Sequence, residues 1–446
     1  MYTALLLWIF LLKCLESSFL LADLYSSMCP RRRAVLAAIG STAAFGGAIG
    51  YWQRHRIRRR NETDDINSAL GIEFPPVDVP ISISEGHLQS SYHRTRDHVT
   101  ETESLLDSAD DMSPGTKLDR AWDELNTYPP ESLVDGYDRI EALEAYRLAV
   151  AISGSARSRV HDDARGQPSD ALQNAFHSLR NALDVVEPRY HGTSLSTVIV
   201  QCGEGDDLHS TAMSQANRAQ DYLENNEFSN SVTWEIVETA RQITHDANWL
   251  FEKQEGPHQT EALEDTFRRL TEQVEANTDD VIMDYEDGVR SQAEARTLAL
   301  KSVTTEPETH FNKERLALAV REQARTAMVT ATFDTLEQYP AIRELDGTEY
   351  RLIDDSEQLI TQKRDTVETV TAAINEVGGD PLGRYLLTET IETVDRADRQ
   401  LNRLLDNVRS YDQKQWISGR DTAYLRFRSS AAEARAIPHI IKLVEG

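Results

Sequence analysis

Apolar side chains recur at helical spacing over most of the chain beyond residue 86. In residues 232–251 the apolar positions step by four and then three residues, which is the stripe of an amphipathic helix. Shorter stripes of the same kind occur at 263–274 and 317–331. The pattern predicts a mainly α fold, an elongated helical bundle built from antiparallel αα-hairpins.

The clearest pair of predicted helices lies near the C-terminus. One apolar stripe stops at Gly378-Gly379, a pair typical of the end of a helix. Asp380-Pro381 then has the form of a new helix start, with proline in the first turn. Because so short a connection forces the chain to fold back, we predict an antiparallel αα-hairpin of 352–377 with 381–411.

The remaining pattern is also helical, with one exception. Residues 194–201 (Ser-Leu-Ser-Thr-Val-Ile-Val-Gln) are rich in β-branched side chains and are predicted to form a strand. One or two strands among many helices cannot make the parallel sheet of an α/β enzyme. Further helices are predicted at 87–108, 136–153, 169–187, 208–225 and 419–436.

The first 60 residues differ from the rest in hydropathy. Residues 1–27 are apolar but interrupted by charge, and Met28 opens a better-formed leader, so Met28 is a possible true start. Residues 34–52 contain no charged side chain. Nineteen residues at the rise of an α-helix span about 28 Å, close to the thickness of a bilayer core. We therefore predict a transmembrane signal anchor within 28–60, with basic residues on both flanks.

Residues just before this span carry a targeting pattern. Arg32, Arg33, Val35 and Leu36, followed by a Gly/Ala-rich stretch, resemble a twin-arginine export signal. No clear A-x-A cleavage site follows, which favours an uncleaved anchor. The resemblance implies a body outside the cytoplasm. The five arginines between residues 54 and 60 favour the opposite side by the positive-inside rule. A dedicated export pathway would override this charge count, so we expect the body outside the cytoplasm, although the side is not settled by the sequence.

The pattern divides the rest of the chain into three parts. Residues 61–85 contain several prolines and read as an extended linker. Two helical subdomains follow at 86–255 and 256–446, and the second contains the predicted hairpin. Trp122, Trp234, Trp249 and Trp416 lie on or beside helical stripes and are expected in the core.

The charge composition indicates the kind of environment in which the protein works. The chain has 74 Asp and Glu against 47 Lys and Arg, a net charge of −27. Only eight of the basic residues are Lys. Such a surface, acidic and poor in Lys, resembles the proteins of halophilic archaea. In molar salt the Debye length falls to about 3 Å, so acidic side chains repel each other little. So acidic a body also repels phosphate backbones, and we expect no nucleic-acid partner.

The search for chemistry yields only weak candidates. Phosphate-binding loops, nucleophile elbows and HExxH motifs are absent from the sequence. Residues 284–294 resemble a calcium loop, but Met283 and Tyr285 stand where its first two ligands belong. A second cluster has residue types that suit zinc, at spacings of no known signature: His191, Cys202, Asp206 and His209. We therefore assign no catalytic residue, no metal site and no cofactor.

Three functions stay open on this evidence. The first is a membrane-anchored, non-enzymatic helical scaffold or binding protein of the cell envelope, which associates with another protein or with itself through its helices. The second is an enzyme or metal-dependent protein whose site is assembled across helices, with the candidate zinc cluster as its marker. The third is a helical sensor module, which would need a cavity for a ligand.

Overall fold

The computed structural model describes residues 62–446, apart from 78–80, 109–114, 134–135, 162–167, 226–228, 253–254, 279–305, 333–342, 346–348, 352, 354, 409 and 412. The described part is mainly α, as predicted. Its helices are α1 (62–70), α2 (Glu85–Ser108), α3 (Gly115–Thr127), α4 (Gly136–His161), α5 (Asp170–Val185), α6 (Leu195–Asn225), α7 (Asn230–Glu252), α8 (Thr260–Thr278), α9 (Glu306–Asn312), α10 (Leu316–Thr330), α11 (Glu357–Val377), α12 (Pro381–Asp406) and α13 (Gln413–Glu445).

Helix α7 is the centre of the first half of the body. It packs against α4, α5 and α6, and α2 packs mainly against α4 while also contacting α7. More than the predicted apolar stripe is buried, because Glu238, Gln242 and Asp246 are also inaccessible to solvent. A helix enclosed by its neighbours must satisfy such polar side chains internally. This requirement positions the site described below.

The predicted C-terminal hairpin is confirmed. Helix α11 ends at Val377 and is followed by Gly378, whose φ of +60° favours glycine. The Asp380 carboxylate accepts a hydrogen bond from the Gly383 amide at 2.8 Å as the cap of α12. Helix α13 then packs along both arms far more extensively than the arms pack on each other. The unit is therefore a three-helix bundle, in which Lys363 and Asp398 form a 2.8 Å ion pair between the arms.

The prediction of an extended linker over 61–85 needs a correction. Residues 62–70 form helix α1, while 72–77 and 81–84 have no regular structure. Ile66 and Ala69 are fully buried in a core cluster with α11, α12 and α13. Glu62 accepts a hydrogen bond from the Trp416 indole N–H at 2.8 Å. Apolar burial against the C-terminal bundle stabilises a helix that is too short to stand alone.

The prediction of a strand at 194–201 is wrong. Helix α6 begins at Leu195, and the Ser194 hydroxyl accepts a hydrogen bond from the Thr197 amide at 3.2 Å. Val198, Ile199 and Val200 are fully buried, so packing around the whole segment outweighs the β-propensity of its branched side chains. The two described strands lie elsewhere, as an antiparallel pair of Arg343–Leu345 with Glu349–Arg351.

Glycines within α6 allow neighbouring helices to approach closely. A Cβ on Gly205 would lie 2.9 Å from the Phe251 ring of α7, and one on Gly203 would lie 3.3 Å from the Ala317 carbonyl oxygen of α10. The largest core cluster accordingly draws side chains from both sides of the predicted subdomain boundary at 255/256.

Candidate functional site

A small cavity opens where α2, α4, α6 and α7 meet. Its volume is about 70 Å³, enough for a few water molecules or a very small solute. Apolar walls come from isoleucine and leucine side chains of the surrounding elements. The polar lining consists of His87, Glu144, Arg147, Glu204 and Asp246, with the Trp249 ring beside them.

Asp246 is the centre of this polar lining. Its Oδ2 accepts hydrogen bonds from Arg147 at 2.9 Å, and its Oδ1 lies 3.1 Å from both His87 Nε2 and the Ser91 hydroxyl. The side chain is 1% exposed. Burial by itself would raise the pKa of Asp246, but Arg147 and His87 outweigh burial and hold this pKa below its usual value. Asp246 is therefore a buried carboxylate that stays ionised.

The cluster does not have the geometry of a catalytic triad. In a triad the acid and the nucleophile bind opposite nitrogens of the histidine ring. Here Ser91 Oγ and Asp246 Oδ1 both face His87 Nε2, at 3.5 and 3.1 Å, and Ser91 donates directly to Asp246. The His87 ring stacks on Trp249 with centroids 4.2 Å apart. The arrangement orients a fixed ion pair and does not activate the serine.

The four candidate zinc ligands do not form a metal site. Cys202 is buried and donates weakly to the Arg189 carbonyl oxygen at 3.6 Å, and burial raises the pKa of its thiol to about 12. His191 lies opposite His258 in an isolated β-bridge. Burial, with Arg315 nearby, lowers the pKa of His209. Within the described residues no group of three or more His, Cys, Asp and Glu is arranged to hold a metal ion.

Asp206, the fourth candidate, has a structural role instead. Its Oδ2 accepts a hydrogen bond from the Leu318 amide at 3.1 Å, at the start of α10. The residue before α10, Arg315, gives no side-chain cap, so the carboxylate from α6 replaces it. The Tyr190 hydroxyl accepts from the Leu316 amide at 3.0 Å and lies 3.2 Å from both Asp206 oxygens. These two side chains fix the α6–α10 contact.

Asp206 makes stability depend on pH. Burial, only partly offset by the bonds from Leu318 and Tyr190, raises its pKa to about 7 from 3.8. Between pH about 4 and about 7 the folded chain keeps a proton that the unfolded chain loses, so this group lowers stability as pH rises. We expect Asp206→Asn to remove a pH dependence of the free energy of unfolding that approaches about 1.4 kcal/mol per pH unit. Denaturation curves recorded at several pH values across this range measure it.

Matched variants separate this effect from general changes in charge. Asp221→Asn changes an exposed carboxylate on the same helix and is expected to leave the pH profile of the wild type unchanged. Glu433, whose pKa burial also raises to about 7, titrates in the same range in both proteins and cancels in the difference. Parallel pH profiles for wild type and Asp206→Asn would contradict the assignment.

The other residues selected from the sequence are the tryptophans, which the structure describes, and the targeting and calcium-like residues, which it does not. Trp234 and Trp416 are buried core residues, as predicted, whereas Trp249 lines the cavity. The targeting residues Arg32, Arg33, Val35 and Leu36, the span 34–52 and the calcium-like residues 284–294 lie outside the described residues. Among the helices described, none is long and apolar enough to cross a bilayer.

The cavity residues were missed because they lie far apart in the sequence. His87, Arg147 and Asp246 come from three helices and are separated by 60 and 99 positions. A usable signal is the polar pair His245-Asp246, which lies between two apolar positions of the α7 stripe. Such a pair on a buried helix requires partners, although the sequence does not say which.

Within its described residues, the protein is thus a mainly α-helical bundle protein in which protein side chains occupy the buried Asp246 carboxylate. Residues 260–446 match the family model of a domain of unknown function, DUF8264. The match covers α8 to α13 and none of the cavity residues described above. No curated protein and no solved structure matches the chain.

Proposed function

We propose that the protein is a membrane-anchored, non-enzymatic helical scaffold or binding protein of the cell envelope in a salt-adapted organism. The observation that carries this proposal is the docking of α1. This helix begins directly after the basic flank of the candidate span, and its Ile66 and Ala69 are fully buried in the C-terminal bundle. An anchor followed by a docked helix holds the body at a defined position instead of on a free tether.

Two further observations support a scaffold over an enzyme. The Asp246 carboxylate is occupied by Arg147, His87 and Ser91, so no lone pair is left for a general base. Cys202, the one thiol among the described residues, is buried with a raised pKa, which disfavours a nucleophile. Salt adaptation is supported by the net charge of −27 and the scarcity of Lys.

A sensor is the second candidate, and the cavity is the observation that favours it. A solute that binds there only in the folded state would raise the melting temperature of the protein by mass action. The small volume limits such a ligand to a compact polar molecule.

Anchorage and export can be tested in cells with one set of fusions. A reporter that is active only outside the cytoplasm is joined after Gly446, and membranes are washed with alkali. We expect the protein in the washed membranes and an active reporter. Arg32→Lys with Arg33→Lys should silence the reporter, because the positive charge is kept while the paired arginines are lost. Arg31→Lys is the matched control and should stay active.

The outcomes separate the parts of the proposal. Release of the wild type by the alkaline wash would overturn membrane anchorage. A membrane-bound but silent wild type would place the body in the cytoplasm and overturn export. Equal silencing by the Arg31→Lys control would show that the loss of activity is not specific to the Arg32-Arg33 pair and would overturn its assignment as the export signal.

A further inference from the structure

Four arginines form a positive surface on the C-terminal bundle. Arg396, Arg399 and Arg403 lie three and four residues apart on α12 and therefore share one helix face, about 10 Å long. Arg426 of α13 joins them, since its guanidinium donates a hydrogen bond to the Arg396 carbonyl oxygen at 3.0 Å. We call these four side chains the arginine face.

Within the described residues, carboxylates neutralise only one of the four side chains of the arginine face. Arg396 pairs with Glu392 at 3.0 Å. Within the described part of the chain, Arg399, Arg403 and Arg426 form no ion pair with a carboxylate. Unpaired arginines are unexpected here, because the chain has 74 acidic side chains against 47 basic ones. The free guanidinium groups are available to an external anion.

The electrostatics agree with the geometry. Burial lowers the pKa of Arg426, and the charges of the other three arginines lower it further. Arg325 shows the contrasting case. Burial would lower its pKa too, but Glu389 and other nearby acids raise it. The arginine face is therefore a positive site on an acidic body.

The chemistry of the site suits a phosphate group. Guanidinium binds phosphate with paired hydrogen bonds and is weakly hydrated, so contact survives where salt screens longer-range attraction. A long polyanion such as a nucleic acid would also meet the surrounding acidic surface and be repelled. Lipid headgroups present phosphate groups in a plane, which meets one side of the body and can contact the arginine face without extending over the rest of the acidic surface.

The position of α1 also favours membrane lipids as the source of the phosphate groups. Glu62 contacts Trp416 and Arg420 near the start of α13. At this level α12 lies alongside, since a Cβ on Gly419 would meet Leu404 at 2.7 Å. Arg403 is thus close to the point where the chain enters the body. The nine residues from 53 to 61 reach at most about 30 Å, which keeps this end of the bundle near the proposed membrane span.

We propose that the arginine face contacts the phosphate groups of membrane lipids and determines which side of the helical body faces the bilayer. The inference rests on the membrane anchorage proposed above. A tethered contact of this kind needs little intrinsic affinity, because the anchor keeps the local concentration of headgroups high.

Arginine-specific labelling tests the contact on the full chain. The protein is reconstituted into vesicles of phosphatidylglycerol, or of digalactosyldiacylglycerol, which has no phosphate. Phenylglyoxal modification is then followed for each arginine by peptide mass spectrometry. We expect Arg396, Arg399 and Arg403 to react about fivefold or more slowly in the phosphatidylglycerol vesicles. Arg120 and Arg268, whose side chains are 64% and 69% exposed on other helices, serve as internal controls with unchanged rates.

Each alternative has its own result. Vesicle binding is checked by flotation in a density gradient. If the protein floats with both kinds of vesicle but Arg399 and Arg403 are modified at equal rates in the two, the arginine-face contact is overturned while anchorage stands. Failure to float with either vesicle would overturn anchorage itself. Protection in the galactolipid vesicles on addition of inorganic phosphate alone would assign the site to a soluble phosphate and overturn the lipid contact.

A pair of double variants separates the face from general charge. Arg399→Gln with Arg403→Gln should abolish the lipid-dependent protection of Arg396. Arg120→Gln with Arg268→Gln removes the same charge elsewhere and should leave that protection as in the wild type. Loss of protection in both double variants would contradict a contact made by the arginine face.

Discussion

Replacing Asp246 by Asn is expected to lower the free energy of unfolding by about 3 kcal/mol, the lower end for breaking a buried ion pair. Four donor side chains converge on the carboxylate: Arg147, His87 and Ser91 at 2.9 to 3.1 Å, and Gln242 at 3.5 Å. An amide offers one acceptor oxygen, and its NH₂ group would face another donor. The lower end is appropriate because the Arg147 side chain is 19% exposed and water can solvate it in the variant.

Asp265→Asn provides the matched control. Asp265 pairs with Arg268 at 3.2 Å, but the two side chains are 58% and 69% exposed. Surface pairs of this kind contribute about 0.5 kcal/mol or less. Chemical denaturation of the full chain in mild detergent, followed by circular dichroism, measures both variants. Similar losses in the two would refute the view that the Asp246 cluster is a buried, saturated ion pair.

The second large effect is expected at Gly256, where Ala should cost about 3 kcal/mol through backbone strain and overpacking together. The φ of Gly256 is +136°, which disfavours any side chain. A Cβ there would lie 2.5 Å from the Gly192 carbonyl carbon, and backbone cannot move aside as a side-chain tip can. The contact closes the short pairing in which the Gly192 amide donates to the Pro257 carbonyl oxygen at 3.2 Å.

Gly379→Ala is the control for this substitution. Nothing lies within 4 Å of a Cβ at Gly379, in the turn between α11 and α12. Alanine at such a site is expected to be neutral or to stabilise by about 0.5 kcal/mol, since it restricts the unfolded chain. If the Gly256 and Gly379 variants unfold at the same denaturant concentration, the close contact between 192 and 256 does not exist in solution.

The sequence predicts an element of this fold well when all the residues that specify the element are close together in the chain. The α11–α12 turn was predicted correctly because its end signal, turn and start signal occupy four adjacent residues, Gly378 to Pro381. The strand predicted at 194–201 failed because a β-branched run is compatible with either structure until its surroundings are known. In the fold, full burial of Val198 and Val200 decides in favour of helix.

The β-strands show a missed signal of a different kind. Asp346-Gly347 separates two short runs and is a common sequence of tight hairpin turns. The runs themselves, now the strands 343–345 and 349–351, contain several charged residues and show little alternation. A turn signal without apolar strands beside it is too weak to predict a hairpin.

The sequence by itself determined the fold class, the C-terminal hairpin and the division between a basic leader and an acidic body, because periodicity, caps and charge are properties of neighbouring residues. Tertiary structure decided which polar residues became partners. Asp246 meets His87 across 159 positions, Asp206 caps α10 from α6, and Arg426 joins the arginines of α12. These pairings depend on which helix faces lie together, and the free energy that selects those faces comes from burying apolar surface throughout the bundle.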